Sequence, residues 1–147
     1  MNNYLLRCHD LYFNRINDLK ATVTKLHAHL SHKEFIQHPT VKLLKTVMVA
    51  DQKTIPQDPD RPEYRLRAEL KKYRRYKQGL QRYRLFFCFS SLPPIIVYLY
   101  LNDEEHLRKE GSKNDPYEDF KRHVSKGLFS HNPSDPATIK WIRNYAG

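Results

Sequence analysis

The spacing of apolar residues changes at a proline-rich segment, residues 55–62, and this change sets the order of structural elements along the chain. Three prolines within eight residues disfavour regular structure, so we predict a linker at this segment. Before it, apolar residues recur every three to four positions, as in a helix; after it they recur every two positions, as in a strand. The sequence therefore predicts a helical half at about residues 1–54 and a half containing a sheet and a last helix at about residues 63–127.

The helical half is predicted to form a hairpin. A stripe of apolar residues spaced by three and four indicates a helix over about residues 10–30. Ser31 and Glu34 then have the spacing of a capping box, and Pro39 suits the first turn of a further helix. The apolar positions that we expect to face inward are Tyr12, Ile16, Leu19, Val23, Leu26 and Leu30, followed by Val41, Leu44, Val47 and Met48.

The second half is predicted to contain three strands, at residues 71–78, 81–89 and 95–102. One face of this sheet would cover the helices, and the other would present arginines and tyrosines. A last helix is expected from Asp115 or Pro116 through Lys126, with Phe120 and Val124 inward. Residues 128–147 are expected to form an irregular tail with an apolar anchor at Ile139, Trp141 and Ile142. The whole pattern predicts an α+β fold in a single domain spanning residues 1–147.

Most of the positive charge of the chain lies in one segment. Residues 61–84 hold ten Lys or Arg and two Glu, so they carry +8 of the formal net charge of +10. Tyr64, Tyr73, Tyr76 and Tyr83 are interleaved with these bases. Cations that neutralise phosphates beside rings that stack on bases are typical of an RNA-binding surface, and a solvated basic segment is the simpler alternative.

Other classes of protein are disfavoured by the sequence. The longest apolar stretch, residues 92–101, contains two prolines and is shorter than the roughly 20 residues that span a membrane. Cys8 and Cys88 form no metal-binding or redox motif, so we expect reduced thiols in a cytoplasmic protein. We also expect no metal and no small-molecule cofactor.

Several short motifs, in one order and spacing, together resemble the YhaV family of bacterial toxins. The similarity is collinear from about residue 3 to Gly127 and is clearest over residues 55–120. The motifs that carry it are IPQDP at residues 55–59, RPEYR at 61–65, RYRLFF at 82–87, IIVY at 95–98, NDE at 102–104 and D-x-Y-x-x-F at 115–120.

The resemblance implies a RelE/ParE-like fold, in which an N-terminal helical hairpin packs on a small antiparallel sheet followed by a C-terminal helix. It implies an mRNA endonuclease that acts during translation on the ribosome, and a cognate antitoxin of the PrlF type with an AbrB-like N-terminal part. Because net charge is concentrated at residues 61–84, we expect an acidic antitoxin segment to lie across residues 71–84 or beside them.

Matched to this sequence, the family's working groups fall on the strand before the Tyr-Arg-Leu motif, within that motif and near the last helix. The predicted catalytic residues are Arg75, Lys77 and Arg84, with looser matches at Arg108 and Tyr117 because the spacing there differs from RelE. The predicted RNA-binding residues are Lys71, Lys72, Tyr73, Arg74, Tyr76, Arg82 and Lys113.

These residue types suit cleavage of RNA by its own 2′-hydroxyl without a metal. Arginine stays protonated and binds two phosphate oxygens at once, which fits Arg75 and Arg84 for stabilising charge on the phosphorane. Lys77, which we expect to be crowded by like charges, and Tyr117 are both candidates for general base or acid, and the sequence does not separate them.

One departure from the family pattern bears on activity. YhaV-type sequences usually have a basic residue after Leu-Phe-Phe, and Cys88 stands there. We expect the loss of one phosphate contact and weaker cleavage. A non-catalytic RNA- or ribosome-binding protein on the same fold is therefore the alternative function.

Overall fold

A five-stranded mixed sheet forms the centre of the computed structural model, which describes residues 3–147. The strand order is β2-β3-β4-β1-β5, with β1 parallel to β4 and the other pairs antiparallel. Residues 1 and 2, where the predicted helical half begins, lie outside the described residues. The strands are β1 Leu5–His9, β2 Arg74–Tyr76, β3 Leu85–Ser91, β4 Pro94–Leu101 and β5 Ile142–Asn144.

The helices of the first half agree with the prediction up to residue 49. They are α1 Asp10–His29, α2 His32–Gln37 and α3 Pro39–Val49. The capping box is present, because the Ser31 hydroxyl accepts from Glu34 N and the Glu34 carboxylate accepts from Ser31 N. On α3 the most buried positions are Leu43 and Val47.

The predicted linker at residues 55–62 is partly wrong. The helix continues beyond α3 through a π-helical turn, Ala50–Thr54, and a short helix α4, Ile55–Gln57. Burial of Ala50 and Ile55 in the core holds this turn in place, and Pro56 is tolerated because it lies in the first turn of α4. Two 3₁₀ turns, Pro62–Tyr64 and Ala68–Leu70, then lead to β2.

Both faces of the sheet are covered, which corrects the expectation of one open face of arginines and tyrosines. Alternation along β3 places Leu85 and Phe87 in a core with α1 and α3. Phe86 and Cys88 lie in a second core on the opposite face, which α5 (Pro116–Ser125) and residues of the tail complete. The sheet therefore separates two hydrophobic cores.

The predicted strand over residues 81–89 begins later than expected. Residues 81–84 form a turn, and Gln81 has a φ of +56°, a backbone conformation outside the strand region. A bulge in β4 also shifts the register, since Phe86 pairs with Tyr100 and Phe87 with Tyr98. Leu99 and Tyr100 consequently both lie on the α5 side of the sheet.

The predicted last helix is confirmed as α5, with Asp115 as its N-cap and Phe120 fully buried. The tail is less irregular than expected, because β5 pairs with β1 at one edge of the sheet. Phe129 and Tyr145 are its most buried apolar side chains, whereas Ile139 is exposed. Among residues 3–147, no helix is long and apolar enough to cross a membrane.

Candidate active site

Tyr117, in the first turn of α5, lies close to two guanidinium groups. The Cζ atoms of Arg75 and Arg108 are 6.0 and 4.9 Å from the centre of its ring. The ring of Phe86 packs edge-on against it, with the ring centres 5.3 Å apart. Contacts with Phe86 of the second core and with two cations therefore fix the position of Tyr117.

Arg108 is held in this arrangement by Asp115. Its Nη1 donates to Asp115 Oδ1 at 2.6 Å, and this contact raises the pKa of Arg108. The other carboxylate oxygen of Asp115 accepts from Tyr117 N at 2.9 Å and so caps α5. One buried carboxylate thus positions both Arg108 and the helix that carries Tyr117.

Arg75 lies on β2, on the face of the sheet that carries Phe86. Its Nη2 donates to the carbonyl of Glu63 at 3.4 Å, whereas its Nε and Nη1 are buried without a hydrogen-bond partner. Among the described residues, Arg75 is the only side chain with two such atoms. Burial lowers the pKa of Arg75; Tyr117 opposes this effect, and Arg84 and Arg108 add to it.

Arg84 lies in the turn before β3 rather than within the strand. Its Nη1 donates to the carbonyls of Gln81 and Tyr83, both at 2.7 Å, and its Nε is buried without a partner. The backbone amide of Arg84 donates to Oδ1 of the buried Asn102 at 2.7 Å. This guanidinium therefore stabilises the turn while still offering hydrogen-bond donors.

Asn102 fixes the two loops that carry the arginines. Its Nδ2 donates to the carbonyls of Arg82 and His106 at 3.2 and 2.7 Å. Arg108 N in turn donates to the carbonyl of Arg82 at 2.9 Å. Asn102 belongs to the NDE motif at residues 102–104, but its role as a positioning residue could not be predicted, because Arg82 and Arg84 are about twenty residues away in sequence.

Two surface grooves meet at Tyr117 and Arg108. One, of about 590 Å³, extends towards Lys113 and the residue 110–118 segment, and the other, of about 620 Å³, extends along residues 62–70. Arg65, Arg67 and Lys121 line the second groove and were not among the predicted site residues. Together the grooves form an open path over Arg75, Arg108 and Tyr117. These three residues, with Arg84 near Arg75, are called the arginine–tyrosine cluster, although Arg84 itself lines neither groove.

The structure brings Arg75, Arg108 and Tyr117 together, with Arg84 close enough to Arg75 to affect its pKa, but it does not bring Lys77 to them. Lys77 follows the last residue of β2, its side chain is exposed, and it lines neither groove. The remaining predicted cations that are exposed, and therefore accessible to a phosphate backbone, are Lys71, Lys72, Arg82 and Lys113.

Three predicted RNA-binding residues are engaged inside the fold. Tyr73 and Tyr76 are buried, Tyr73 against Phe120 and Tyr76 against Tyr64, so their rings are not available to stack on bases. Arg74 points to the helical face of the sheet, where its guanidinium pairs with Asp60 at 3.0 Å. A tyrosine alternating with charged residues is ambiguous in sequence, because a strand buried on both faces can show the same pattern.

Cys88 does not occupy a phosphate-binding position. Its side chain is 1% exposed within the second core, and burial raises the pKa of its thiol to about 12. The expectation that this cysteine removes a phosphate contact is therefore corrected. Both Cys8 and Cys88 are free thiols.

Comparisons with known proteins agree on one family. The sequence model of a family described as a toxin with endonuclease activity, of a toxin–antitoxin system, matches residues 6–138. The ribonuclease toxin YhaV of Escherichia coli K12 is 30% identical over 144 residues, which covers 95% of this chain and 91% of the relative. Toxin YhaV of E. coli O6:H1 is 30% identical over 140 residues, covering 92% and 88% of the two chains. No solved structure matches this chain with significance.

Proposed function

Because the chain belongs to the YhaV family of toxins with endonuclease activity, we propose that it is a metal-independent endoribonuclease that cleaves mRNA during translation on the ribosome. Cleavage of messages in this way inhibits protein synthesis and growth. We further propose that the chain is a single RelE-like domain acting in the cytoplasm, with a cognate antitoxin of the PrlF/AbrB-like type.

The observation that carries this proposal is the set of unpaired guanidinium donors beside Tyr117. A buried N–H without a partner costs about 1–3 kcal/mol, so such groups persist where a ligand satisfies them. Arg75 offers Nε and Nη1, and Arg84 offers Nε. A phosphate group, which carries negative charge and several acceptor oxygens, fits donors of this kind.

The cluster supplies what cleavage by the 2′-hydroxyl requires. The 2′-oxygen attacks phosphorus as its proton passes to solvent water, and the bond from phosphorus to the 5′-oxygen breaks as the 5′-oxygen takes up a proton. The products are a 2′,3′-cyclic phosphate and a 5′-hydroxyl. Arg75 and Arg84 stabilise the extra negative charge on the phosphorane, where one preorganised donor contributes about 3–4 kcal/mol. Arg108, which also lies over the ring of Tyr117, supports the same role.

Tyr117 is the better placed of the two candidates for proton transfer. Its ring lies within 6.0 Å of the Cζ atoms of both Arg75 and Arg108, which would hold the phosphate, and a phenol can donate a proton to the departing 5′-oxygen. Lys77 is exposed and lines neither groove, so we assign it to binding of the RNA backbone instead.

The exposed cations extend the binding surface on both sides of the cluster. Lys71, Lys72, Arg82 and Lys113 would contact phosphates without reading sequence, and Arg65, Arg67 and Lys121 add to them along the second groove. An mRNA segment would therefore lie along the two joined grooves, with the scissile phosphate at Arg75 and Tyr117.

The proposal is tested by incubating the purified protein with a defined message, free and on translating ribosomes, and analysing the ends of the fragments. We expect cleavage on ribosomes that survives chelation by EDTA, once the ribosome's own magnesium requirement is met. We also expect 2′,3′-cyclic or 3′-phosphate ends. Fragments with 3′-hydroxyl ends would contradict the mechanism, and tight ribosome binding without cleavage would establish the non-catalytic alternative.

A further inference from the structure

A third groove, separate from the arginine–tyrosine cluster, lies on the helical face of the sheet. It has a volume of about 590 Å³ and runs between α3 and the loop at residues 79–83. Its floor is mainly apolar, formed by Leu43, Leu80, Tyr83 and Leu107. Neither Arg75 nor Arg84 lines this groove.

The rim of this groove carries charge of one sign. Lys42 and Lys45 of α3 and Arg82 of the loop line it, and its lining contains no Asp or Glu. Lys42 and Lys45 are exposed, with their side chains free of ion pairs within residues 3–147. An occupant that complements both features has apolar side chains for the floor and carboxylates for the rim.

We propose that this groove is the docking site for an acidic segment of the cognate antitoxin, with apolar side chains in the floor and carboxylates at Lys42 and Lys45. The proposal rests on the membership in a toxin–antitoxin system stated above. The main contact with the antitoxin would then lie on α3 and on the loop at residues 79–83, rather than on residues 71–78.

Docking at this position would bring the antitoxin into contact with the loop at residues 79–83, which is also hydrogen-bonded to Arg84 of the proposed active site. Gln81 and Tyr83 line the groove, and their backbone carbonyls accept hydrogen bonds from Arg84 Nη1. The apolar floor favours a peptide over RNA, because a phosphate backbone gains little from contact with Leu43 and Leu80.

Charge reversal on α3 tests the proposal without touching the arginine–tyrosine cluster. We compare the Lys42→Glu/Lys45→Glu variant with a matched control, Lys25→Glu/Lys33→Glu, in which the same net charge is changed at exposed residues of α1 and α2. Affinity and association rate are measured with the purified cognate antitoxin, and RNA cleavage is measured on the same samples. Thermal melting of each variant verifies that it is folded.

We expect the α3 variant to bind the antitoxin at least about tenfold more weakly and to associate more slowly, while its cleavage rate stays within about twofold of the parent. The control should change antitoxin affinity by less than about threefold. Equal antitoxin affinity in the two variants would overturn the proposal. Lost cleavage with unchanged antitoxin binding in the α3 variant would also overturn it, because that result would place RNA in this groove. A parent protein that binds antitoxin but cuts no RNA would refute only the proposed function.

Discussion

The arginines of residues 61–84 differ in what their guanidiniums contact. Arg74 uses both of its terminal nitrogens within the protein, on Asp60 and on two backbone carbonyls, and lies over the ring of Phe89. Its neighbour Arg75 has one long hydrogen bond and two buried donors without partners. Arg74 Nε is also buried without a partner, so the two differ in degree: three hydrogen bonds hold Arg74 to the fold, whereas two of the three guanidinium nitrogens of Arg75 are unpaired.

Replacing Tyr117 separates its ring from its hydroxyl. The hydroxyl has no hydrogen-bond partner in the described part of the chain, so Tyr117→Phe should leave the melting temperature unchanged. If the hydroxyl transfers a proton, cleavage should fall by about 10²-fold or more. Lys77→Gln is the companion variant and should lower cleavage only modestly. A large loss in Lys77→Gln with full activity in Tyr117→Phe would assign proton transfer to the lysine instead.

A buried carboxylate, Asp51, makes stability depend on pH. Its Oδ2 accepts from the hydroxyls of Tyr12 and Tyr145, and burial raises its pKa from 3.8 to about 6. The folded state therefore holds this proton more tightly than the unfolded chain does. Its stabilising contribution is complete below pH 3.8 and is lost as the pH rises to about 6.

Asp51→Asn should remove this dependence. We expect the difference in the free energy of unfolding between the Asn variant and the parent to grow in favour of the variant between pH 4 and 7 and to stay constant above that. Asp18→Asn, at an exposed carboxylate of α1, is the control and should show no such trend. Chemical denaturation across this pH range measures it, and a difference independent of pH would refute the assigned pKa.

At the scale of secondary-structure elements, α5 joins the fold to the site. Phe120 anchors it in the second core by stacking on Phe86, with the ring centres 4.3 Å apart. One turn earlier, its N-cap Asp115 binds Arg108, and Tyr117 lies close to Arg75 and Arg108. The placement of the site therefore depends on how this helix begins.

The two functions of Asp115 can be measured apart. Asp115→Ala removes both the N-cap and the contact to Arg108, so it should cost about 1 kcal/mol of stability and lower cleavage. Asp115→Ser restores a capping oxygen but cannot reach Arg108 as a charged partner. We expect the Ser variant to regain most of the stability and little of the activity. Equal recovery of stability and cleavage in the Ser variant would show that Arg108 does not need its ion pair with Asp115.

Elements with local signals could be predicted from the sequence. The capping box at Ser31 and Asp-Pro at residues 115 and 116 are contained within four residues, and the helices they start are present. The strands β1 and β5 could not be predicted, because they are three to five residues long and exist through pairing between the two ends of the chain. The bulge at Leu99 likewise depends on the partner strand.

The site was only partly predictable for the same reason. Arg75, Arg84, Arg108 and Tyr117 follow from the family resemblance, and the structure places Arg75, Arg108 and Tyr117 together, with Arg84 near Arg75. Tyr73 and Tyr76 are buried, unlike the exposed bases of the same segment. The spacing of residues in the sequence does not distinguish a tyrosine in the core from one that stacks on RNA. Asn102 acts through backbone carbonyls, which leave no trace in side-chain patterns.

In the whole molecule, the sheet separates the proposed active site from the proposed antitoxin groove. The α5 side holds the arginine–tyrosine cluster and its two grooves, and the helical side holds the third groove on α3. Arg74 and Arg75 lie next to each other in sequence but project to these opposite sides. They provide a matched pair of variants with the same change in charge.

Cleavage of RNA at the arginine–tyrosine cluster is tested by the rates at which Arg75→Ala and Arg74→Ala cut a defined message. We predict that Arg75→Ala lowers kcat/KM by about 10²- to 10³-fold without loss of the fold, as expected for removal of a donor to the transition state. Arg74→Ala should lower the melting temperature, through loss of its pairing with Asp60, and keep most of the activity. Equal rates for Arg75→Ala and the parent, or a larger loss in Arg74→Ala, would contradict cleavage at this cluster.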